Sequence, residues 1–534
     1  MDLILLSGKI VTMDSLGQTV EAIGIKNGKI AAIGTNDEVL SKKDMDTNII
    51  DLKNKLVLPG FIDSHMHMLN YGYTSLQLQL SNCNSINDII ESGKEHILDN
   101  DLQYGRWLLG RGWNQDNFTE NRFPTKDDLD RISLNHPICL TRVCGHIAIA
   151  NSMAIKIAKE RVNQKIDNEN IDWELGVFRE DGINTLYGAI ESPSTEEIKD
   201  MLVLAANAFI QSGITSVHTD DFAAMPDRDF KRVLRAYEEL IEEDRLSIRV
   251  YEQCLLPNIE ILKEFLDQGY RTGKGNEKFK IGPLKLLIDG SLGARTAFLC
   301  NRYNDDPSTD GIAVYSQEEL NELVLLANKN NIQVAIHAIG DGAMYMALDS
   351  IKYAKKQCLK KEPRHGIIHC QITNEEILDR FRDENILAYI QPIFLDYDLH
   401  IVEDRIGSER AKKTYNWKSM LERGIKVSGG SDTPVVGFNI FENIYSAVTR
   451  MDLNKFPKGG WLPEEKLTVY EAVKLFTING AYASFEEDIK GTLELGKLAD
   501  MVVLSQDIFQ IDEEKIKDVR AVMTIIDGKV IYKN

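Results

Sequence analysis

The sequence lacks three features that mark common classes of protein. Its seven cysteines are scattered, without the closely spaced pairs of zinc ribbons, so we expect reduced and mostly buried thiols. No run of about 18 apolar residues predicts a membrane-spanning helix, and no basic leader with an apolar core opens the chain. Internal repeats, low-complexity tracts and blocks of like charge are also missing. These absences predict a soluble, cytoplasmic protein.

Basic residues are in deficit. The chain has 62 Lys and Arg against 82 Asp and Glu, which gives a formal net charge of −20. This excess of negative charge argues against nucleic acid or an anionic membrane as a partner. The 534 residues, 43% of them hydrophobic, suit large soluble cores. We therefore expect a small-molecule substrate, and a homodimer is a reasonable expectation for the assembly.

Both ends of the chain have a β pattern. Residues 1–58 alternate short apolar runs with turns, and Asn27-Gly28 is a strong hairpin signal. Residues 486–534 show the same pattern, with Asp527-Gly528 at the turn. We predict that the two segments pair into one small β-sandwich.

The middle of the chain, residues 59–485, alternates strand-like apolar runs with amphipathic helical stretches, which is typical of parallel α/β folds. Eight candidate strands can be counted, the number that closes a (β/α)8 TIM barrel. They are residues 60–67, 214–220, 246–254, 282–290, 332–340, 365–371, 386–392 and 425–432. Since a barrel unit takes about 31 residues, the long gap after the first strand predicts a large insertion at about residues 70–205.

The first candidate strand ends in two histidines. In LVLPGFIDSHMH, an apolar run leads to His65 and His67, with Asp63 two residues before the first of them. Because side chains alternate along a strand, both imidazoles point the same way. Two adjacent imidazoles provide half of a metal site.

Four more candidate ligands lie within or at the ends of later strands: Lys285, His337, His369 and Asp432. Taken singly, a strand histidine is more often structural, and an Asp after Gly-Gly-Ser is usually a turn or cap residue. The catalytic and ligand-binding residues of α/β barrels lie at the carboxyl ends of the strands. Six such residues at barrel spacing therefore favour a shared metal site.

Lys285 is unusual because it lies mid-strand between leucines, where an ammonium is costly and cannot bind a cation. If it has reacted with CO2, its carbamate can bridge two metal ions. His65, His67 and Asp432 would then hold one ion, and His337 and His369 the other. The alternative is a neutral or ion-paired lysine beside a single metal. Asp432 would serve as both ligand and general base.

Several motifs resemble the metal-dependent amidohydrolase superfamily, specifically the amidohydrolase-3 branch with YtcJ-like hydrolases and N-substituted formamide deformylases. They are LPGFIDSHMH, RGWNQD, GHIAIANS, KLLIDGSLGARTA, VAIHAIGD, the His369 strand, GGSDTPV and GTLELGKLADMVVL. They cover nearly the whole chain in order. The resemblance implies a distorted barrel, a β-sandwich from both termini, one or two divalent ions, commonly Zn2+, and the ligand roles given above.

Four residues are weaker candidates for contact with substrate. Asp289 and Arg295 follow Lys285 at the mouth of its strand, although Arg295 could instead pair with a surface carboxylate. Trp113 and His146 belong to the insertion, where packing is the alternative role.

The function that we predict is hydrolysis of a C–N bond in an amide, N-formyl or related small molecule by a metal-activated hydroxide, with Asp432 as general base and acid. One alternative is a cyclic amidine deaminase of the same superfamily. Another, from a different class, is a catalytically silent scaffold on the same fold.

Overall fold

The computed structural model describes residues 1–161 and 169–534. They form two compact units, described separately below. The first contains residues 1–69, 202–223 and 230–534, and the second contains residues 70–201 and 224–229. Within the described residues, no helix combines the length and the apolar character needed to cross a membrane.

The first unit contains an eight-stranded parallel sheet that curls into a nearly closed barrel. Its strands are hydrogen-bonded in chain order, and each corresponds to one of the eight predicted strands. From barrel strand 1 to barrel strand 8 they are Phe61–Met66, Ile214–Thr219, Arg249–Leu255, Phe279–Leu287, Val334–Ala338, Gly366–His369, Leu387–Ile390 and Val427–Gly429. Most of their residues are buried, as expected for parallel strands covered on both faces.

Barrel strands 1 and 8 meet where the candidate ligands His65, His67 and Asp432 lie. The backbone N–H of Asp432 donates to the carbonyl of His65 at 2.8 Å, and that of His67 donates to the carbonyl of Thr433 at 2.8 Å. Gly430 permits this approach, because a Cβ there would lie 2.6 Å from the backbone nitrogen of His65. The GGSD motif therefore brings the two ends of the barrel sheet together.

Helices connect the barrel strands and cover the barrel, and their starts follow local capping rules. Ser316 and Glu319 form a capping box at the helix Gln317–Lys329, and the Asn374 side chain caps the helix Glu375–Asp383. Over the described residues of both units, including helices that do not belong to the barrel, the α-helices are Asn36–Leu40, Met68–Ser75, Ile86–Asp99, Lys126–Asp130, Ser152–Arg161, Gly182–Tyr187, Thr195–Gln211, Phe230–Glu242, Ile259–Asp267, Gln317–Lys329, Asp341–Gln357, Glu375–Asp383, Leu395–Asp398, Val402–Ile406, Ser408–Ala411, Trp417–Glu422, Ile440–Thr449, Val469–Leu475 and Ile478–Ala483.

The two chain ends build a β-sandwich in the first unit. One sheet has the strand order Lys29–Gly34, Ala22–Lys26, Leu3–Leu6, Asn48–Asp51, and the other Lys529–Lys533, Ala521–Ile526, Met501–Leu504, Leu56–Pro59, Lys9–Val11, Thr19–Val20. Apolar side chains from both sheets share one buried core. Asn27 and Gly28 have φ of 52° and 73°, and Asp527 and Gly528 have φ of 52° and 70°, as both predicted hairpins require.

The second unit, inserted after the first barrel strand, has its own six-stranded sheet. The strand order is Ile171–Asp172, Val177–Arg179, Ile147–Ala150, Ile138–Arg142, Leu108–Trp113, Leu78–Gln79. Its apolar side chains pack around Trp113. The structure thus confirms the predicted fold class, a distorted (β/α)8 barrel with a terminal β-sandwich and a large insertion.

Candidate metal centre

His65, His67 and Asp432 form a compact three-ligand cluster at the carboxyl ends of barrel strands 1 and 8. One ligand atom from each lies within 4.8 Å of the others. The Asp432 carboxylate lies 3.2 Å from His65 Nε2 and 2.9 Å from His67 Nε2. His65 and Asp432 are buried, and His67 is partly exposed. Three such ligand atoms around one point suit a tetrahedral or five-coordinate metal ion.

His337 and His369 extend the same cluster. Their ring centroids are 4.4 Å apart, and the His369 ring lies 5.6 Å from that of His65. The structure therefore brings all four histidines, from barrel strands 1, 5 and 6, into one group. Such a group is large enough for more than one ion.

Each of the four histidines uses its Nδ1 atom for a hydrogen bond to a buried side-chain oxygen. The partners are Gln253 Oε1 for His65 (2.7 Å), Asp220 Oδ1 for His67, Asp289 Oδ1 for His337 (2.9 Å) and Gln391 Oε1 for His369 (2.7 Å). A neutral imidazole that donates from Nδ1 keeps its lone pair on Nε2, the atom available to a metal. This arrangement is the usual support of metal-binding histidines.

Two candidate ligands have a backbone conformation that is rare for residues other than glycine. His369 has φ of 79°, and Asp432 has φ of 63°. Both values lie in the left-handed region, where a side chain is disfavoured. Such strain often marks positions at which the fold places a functional side chain.

The electrostatics of the cluster favour a cation. Burial lowers the pKa of His67, but the carboxylates of Asp220 and Asp432 outweigh it and raise that pKa to about 10. Burial raises the pKa of Asp432, yet its hydrogen bonds with His65 and His67 hold it well below the ordinary value. The carboxylates of Asp220 and Asp432 that cause this shift also favour a bound metal cation.

Lys285 lies inside the barrel and contacts two of these groups. Its Nζ is 3.1 Å from His65 Nε2 and 3.3 Å from Asp220 Oδ2, and its side chain is fully buried. Burial lowers the pKa of Lys285, while Asp220 partly offsets the shift. The lysine therefore adjoins the candidate ligands, as the sequence predicts.

Asp289, one of the predicted substrate contacts, is held by groups of the protein itself. It is buried, and besides His337 its carboxylate accepts hydrogen bonds from the backbone N–H groups of Phe298, Ile339 and Gly340. These bonds occupy the carboxylate, because the loop after barrel strand 4 folds back over it. Asp289 thus orients His337 and does not present a free group to a ligand.

The other three substrate candidates also have partners of their own. Arg295 makes a two-point ion pair with Asp305. This pairing with a carboxylate is the alternative to substrate contact that the sequence leaves open. Trp113 is fully buried in the core of the second unit, where its Nε1 donates to the Leu140 carbonyl at 2.9 Å. His146 is exposed in the same unit and lies 3.0 Å from Glu180. Packing or ion pairing therefore accounts for each of them.

The sequence analysis missed Asp220, Gln253 and Gln391. Each is a polar residue at the carboxyl end of a barrel strand or directly after it, a position that could have identified it. The amide orientation of Gln253 is fixed because its Nε2 donates to the Ser64 carbonyl at 3.1 Å. Its oxygen therefore faces His65.

The profile of the amidohydrolase family matches residues 48–532, most of the chain. The chain belongs to the amidohydrolase family. It is 30% identical to the amidohydrolase YtcJ of Bacillus subtilis over 98% of both chains. It is 24% identical to the N-substituted formamide deformylase of Arthrobacter pascens, over 100% of this chain and 98% of the relative. The crystal structure of a metal-dependent hydrolase from Pyrococcus furiosus superposes with a TM-score of 0.81 at 29% identity, covering 95% of this chain and 100% of that one.

The residues present fit the divalent ion that this amidohydrolase family implies. Four imidazoles, each hydrogen-bonded through Nδ1 to a buried oxygen, and one buried carboxylate are donors that zinc prefers. His65 and His67 direct Nε2 to Asp432 inside the cluster, whereas the structural His365 uses both ring nitrogens for partners outside it, the backbone N–H of Val334 and the side chain of Asn328.

Proposed function

We propose that this amidohydrolase-family protein is a zinc-dependent hydrolase that cleaves a C–N bond in an amide, N-formyl or related small molecule. The observation that carries the proposal is the common orientation of the four histidines, each held through Nδ1. A divalent ion bound there supplies two recognised functions, since it lowers the pKa of water and polarises a carbonyl oxygen.

In this proposal Asp432 transfers the protons. Its carboxylate contacts the Nε2 atoms of His65 and His67, so it lies beside the point at which water and substrate meet. Asp432 takes a proton from the attacking water and delivers one to the leaving nitrogen, which must be protonated before the C–N bond breaks. Because Asp432 is buried, bulk water does not compete for that proton.

We further propose that Lys285 carries a CO2-derived carbamate when the site is fully loaded. The position of its Nζ beside His65, and the His337–His369 pair at the other side of the cluster, support a bridging role. In this assignment His65, His67 and Asp432 would hold one ion, His337 and His369 would hold the other, and the modified Lys285 would supply oxygen ligands to both.

The test has two parts, both on the purified full chain. The metal content is measured by mass spectrometry after loading with zinc or manganese, and one to two ions per chain are expected. Each loaded form is then screened against N-formyl, N-acyl and cyclic amide substrates, with Asp432→Ala as the inactive control. A chain that binds metal and hydrolyses none of these compounds would argue against C–N hydrolysis, and a chain that binds no metal would favour a silent scaffold.

A further inference from the structure

The Asp220 carboxylate contacts candidate ligands on two different barrel strands. Its Oδ1 accepts a hydrogen bond from Nδ1 of His67, on barrel strand 1, and its Oδ2 lies 3.3 Å from Nζ of Lys285, on barrel strand 4. Asp220 directly follows barrel strand 2, and its backbone N–H donates to the Met66 carbonyl at 3.1 Å. One buried carboxylate thus links the two side chains across the mouth of the barrel.

The neighbouring residue shows what a purely structural carboxylate looks like at this place. Asp221 is also buried, but it accepts hydrogen bonds from the backbone N–H of Leu69 (2.8 Å), from the Thr219 hydroxyl (2.8 Å) and from the Tyr237 hydroxyl (2.5 Å). Those bonds hold the chain together and touch no candidate ligand.

We propose that Asp220 is a positioning residue of the metal centre, which holds His67 through Oδ1 and Lys285 through Oδ2. This inference rests on the proposed function. Oδ1 keeps the His67 hydrogen on Nδ1 and directs Nε2 towards the ion. Lys285 forms its carbamate when the neutral amine attacks CO2, which makes one N–C bond, opens one C=O π bond of CO2 and releases one proton to water. The carbamate keeps one N–H, and Oδ2 of Asp220 is the acceptor in reach of it.

The test compares Asp220→Asn with the matched control Asp221→Asn. Zinc affinity is measured by competition with a chromophoric chelator, which needs no substrate. Losing a partner of this kind typically weakens metal binding 10–100-fold, so we expect about that loss for Asp220→Asn. Asp221→Asn should stay within about threefold of the wild type. A crystal structure of the zinc-loaded wild-type protein provides a second measurement, should Asp220→Asn fail to fold.

The outcomes separate this inference from the proposed function. Wild-type protein that binds no zinc overturns both. If folded Asp220→Asn binds zinc as tightly as the wild type, the metal centre stands and the role of Asp220 is overturned. The same follows if the zinc-loaded crystal structure shows Asp220 bound to the ion, or beyond hydrogen-bonding distance of both His67 and Lys285.

A separate observation concerns the apolar side chains next to His337 and His369. The Phe394 ring stacks on the His369 ring with centroids 5.7 Å apart and planes within 10°. Leu287 ends barrel strand 4 opposite His337 in the sheet register, and it lies two residues after Lys285, hence on the same face. Leu287 is 37% exposed, whereas Lys285 is fully buried. Phe394 and Leu287 thus place apolar side chains beside His369 and His337, and we call these two residues the apolar rim.

We infer that the substrate group lying beside His337 and His369 is an aryl or alkyl substituent. Phe394 offers a ring face to an aromatic or aliphatic group, and Leu287 offers a partly exposed branched side chain. Burying apolar surface against them is favourable, whereas a charged substituent would lose hydration without a partner. This inference rests on the metal centre and is independent of which bond is cleaved.

Two hydroxamates test the rim on the zinc-loaded protein without any turnover. Acetohydroxamate and benzohydroxamate share the metal-binding group and differ in the apolar substituent. We expect benzohydroxamate to bind at least about tenfold tighter by calorimetry, and Phe394→Ala to remove most of that preference while acetohydroxamate affinity stays. Phe485→Ala is the control, because Phe485 stacks on Arg364, before the start of barrel strand 6. Leu287→Ala is the second variant.

Equal affinities of the two hydroxamates in the wild type would overturn the apolar rim. So would an unchanged preference in both folded rim variants. Failure of acetohydroxamate to bind at all, with zinc present, would instead count against the accessible metal centre of the proposed function.

Discussion

The Asp63 carboxylate accepts a hydrogen bond from the backbone N–H of Ser431 at 3.0 Å and thereby ties barrel strand 1 to the segment that carries Asp432. The same oxygen accepts from the backbone N–H of His65 at 3.2 Å, and Asp63 is fully buried. Since one of these N–H groups belongs to His65 and the other to the residue before Asp432, Asp63 fixes the spacing between these two candidate ligands.

Replacing Asp63 with alanine should therefore weaken both the fold and the metal site. The change leaves two buried N–H groups without their acceptor, at about 1–3 kcal/mol each, so we expect a loss of several kcal/mol in the free energy of unfolding. Urea unfolding and a zinc competition assay measure the two effects. Asp63→Asn keeps one acceptor oxygen and should be milder in both; an Asp63→Ala variant with wild-type stability and zinc affinity would contradict the role.

Removing both histidines of the first barrel strand should remove the metal. The double variant His65→Ala, His67→Ala deletes two of the three ligands that lie within 4.8 Å of one another. Metal content and activity should fall together, because Asp432 alone is a weak site for the ion that it shares with His65 and His67. His96→Ala with His400→Ala is the control, since neither belongs to the cluster. Full metal occupancy in the first double variant is the result that would reject the ligand assignment.

Asp432→Asn should separate metal binding from catalysis. The amide keeps an oxygen donor beside His65 and His67 but cannot shuttle protons, so much of the metal should stay. General acid–base residues contribute about 10²–10⁴-fold, and we expect kcat to fall by that factor on any substrate found by the screen. Metal content measured on the same sample controls for ligand loss. Near wild-type turnover with metal bound would leave Asp432 as a ligand alone.

The candidate ligands could be predicted from the sequence because their signal is local. His65 and His67 end an apolar run, and His337, His369 and Asp432 end later runs at the spacing of barrel units. Parallel barrel strands place their carboxyl ends at one mouth, so position along each strand was enough to group these residues. The two hairpins were equally predictable, since Asn-Gly and Asp-Gly fix their turn type locally.

The supporting residues could not be predicted in the same way, because their roles depend on distances between strands. Gln253 and Gln391 act on histidines of other strands, and which strand end faces which follows from register and rotamer. The position of Asp289 at a strand mouth predicts contact with substrate, but it does not predict that the loop after the strand folds back so that the Phe298 N–H donates to its carboxylate. Trp113 lies in the RGWNQD motif, and in the structure it belongs to the buried apolar core of the second unit.

A pH effect on stability should arise at Asp398, the last residue of the helix Leu395–Asp398. Burial raises the pKa of Asp398 to about 6, although the Tyr415 hydroxyl donates to it at 2.6 Å and lowers it somewhat. The folded protein thus holds a proton that the unfolded chain releases between about pH 4 and 6. The free energy of unfolding should fall as pH rises through that window, by at most about 3 kcal/mol.

Asp398→Asn removes this titration. Between pH 4 and 6 the thermal unfolding midpoint of the wild type should therefore fall relative to that of the variant, and above pH 6 the difference between the two midpoints should stay constant. Tyr415→Phe removes the hydroxyl donor and should extend the wild-type decline to higher pH. A difference between Asp398→Asn and wild type that stays constant across this range would show that Asp398 titrates normally in the folded protein.

Lys285→Ala should lose activity and the second ion, and short carboxylic acids should partly restore both. The side chain is fully buried beside His65 and Asp220, so its removal leaves space within the cluster and removes the nitrogen that forms the carbamate. Formate or acetate supplies the two carboxylate oxygens of the missing bridge, and a divalent ion accepts such ligands readily. Metal content and turnover are measured together over a series of acid concentrations.

Lys285→Arg is the control, because it keeps the positive charge and cannot form the same bridge, so it should stay inactive with or without acid. Wild-type activity in Lys285→Ala without any added acid, or a zinc-loaded crystal structure with two ions and an unmodified Lys285 amine away from both, would remove the lysine from the proposed bridge.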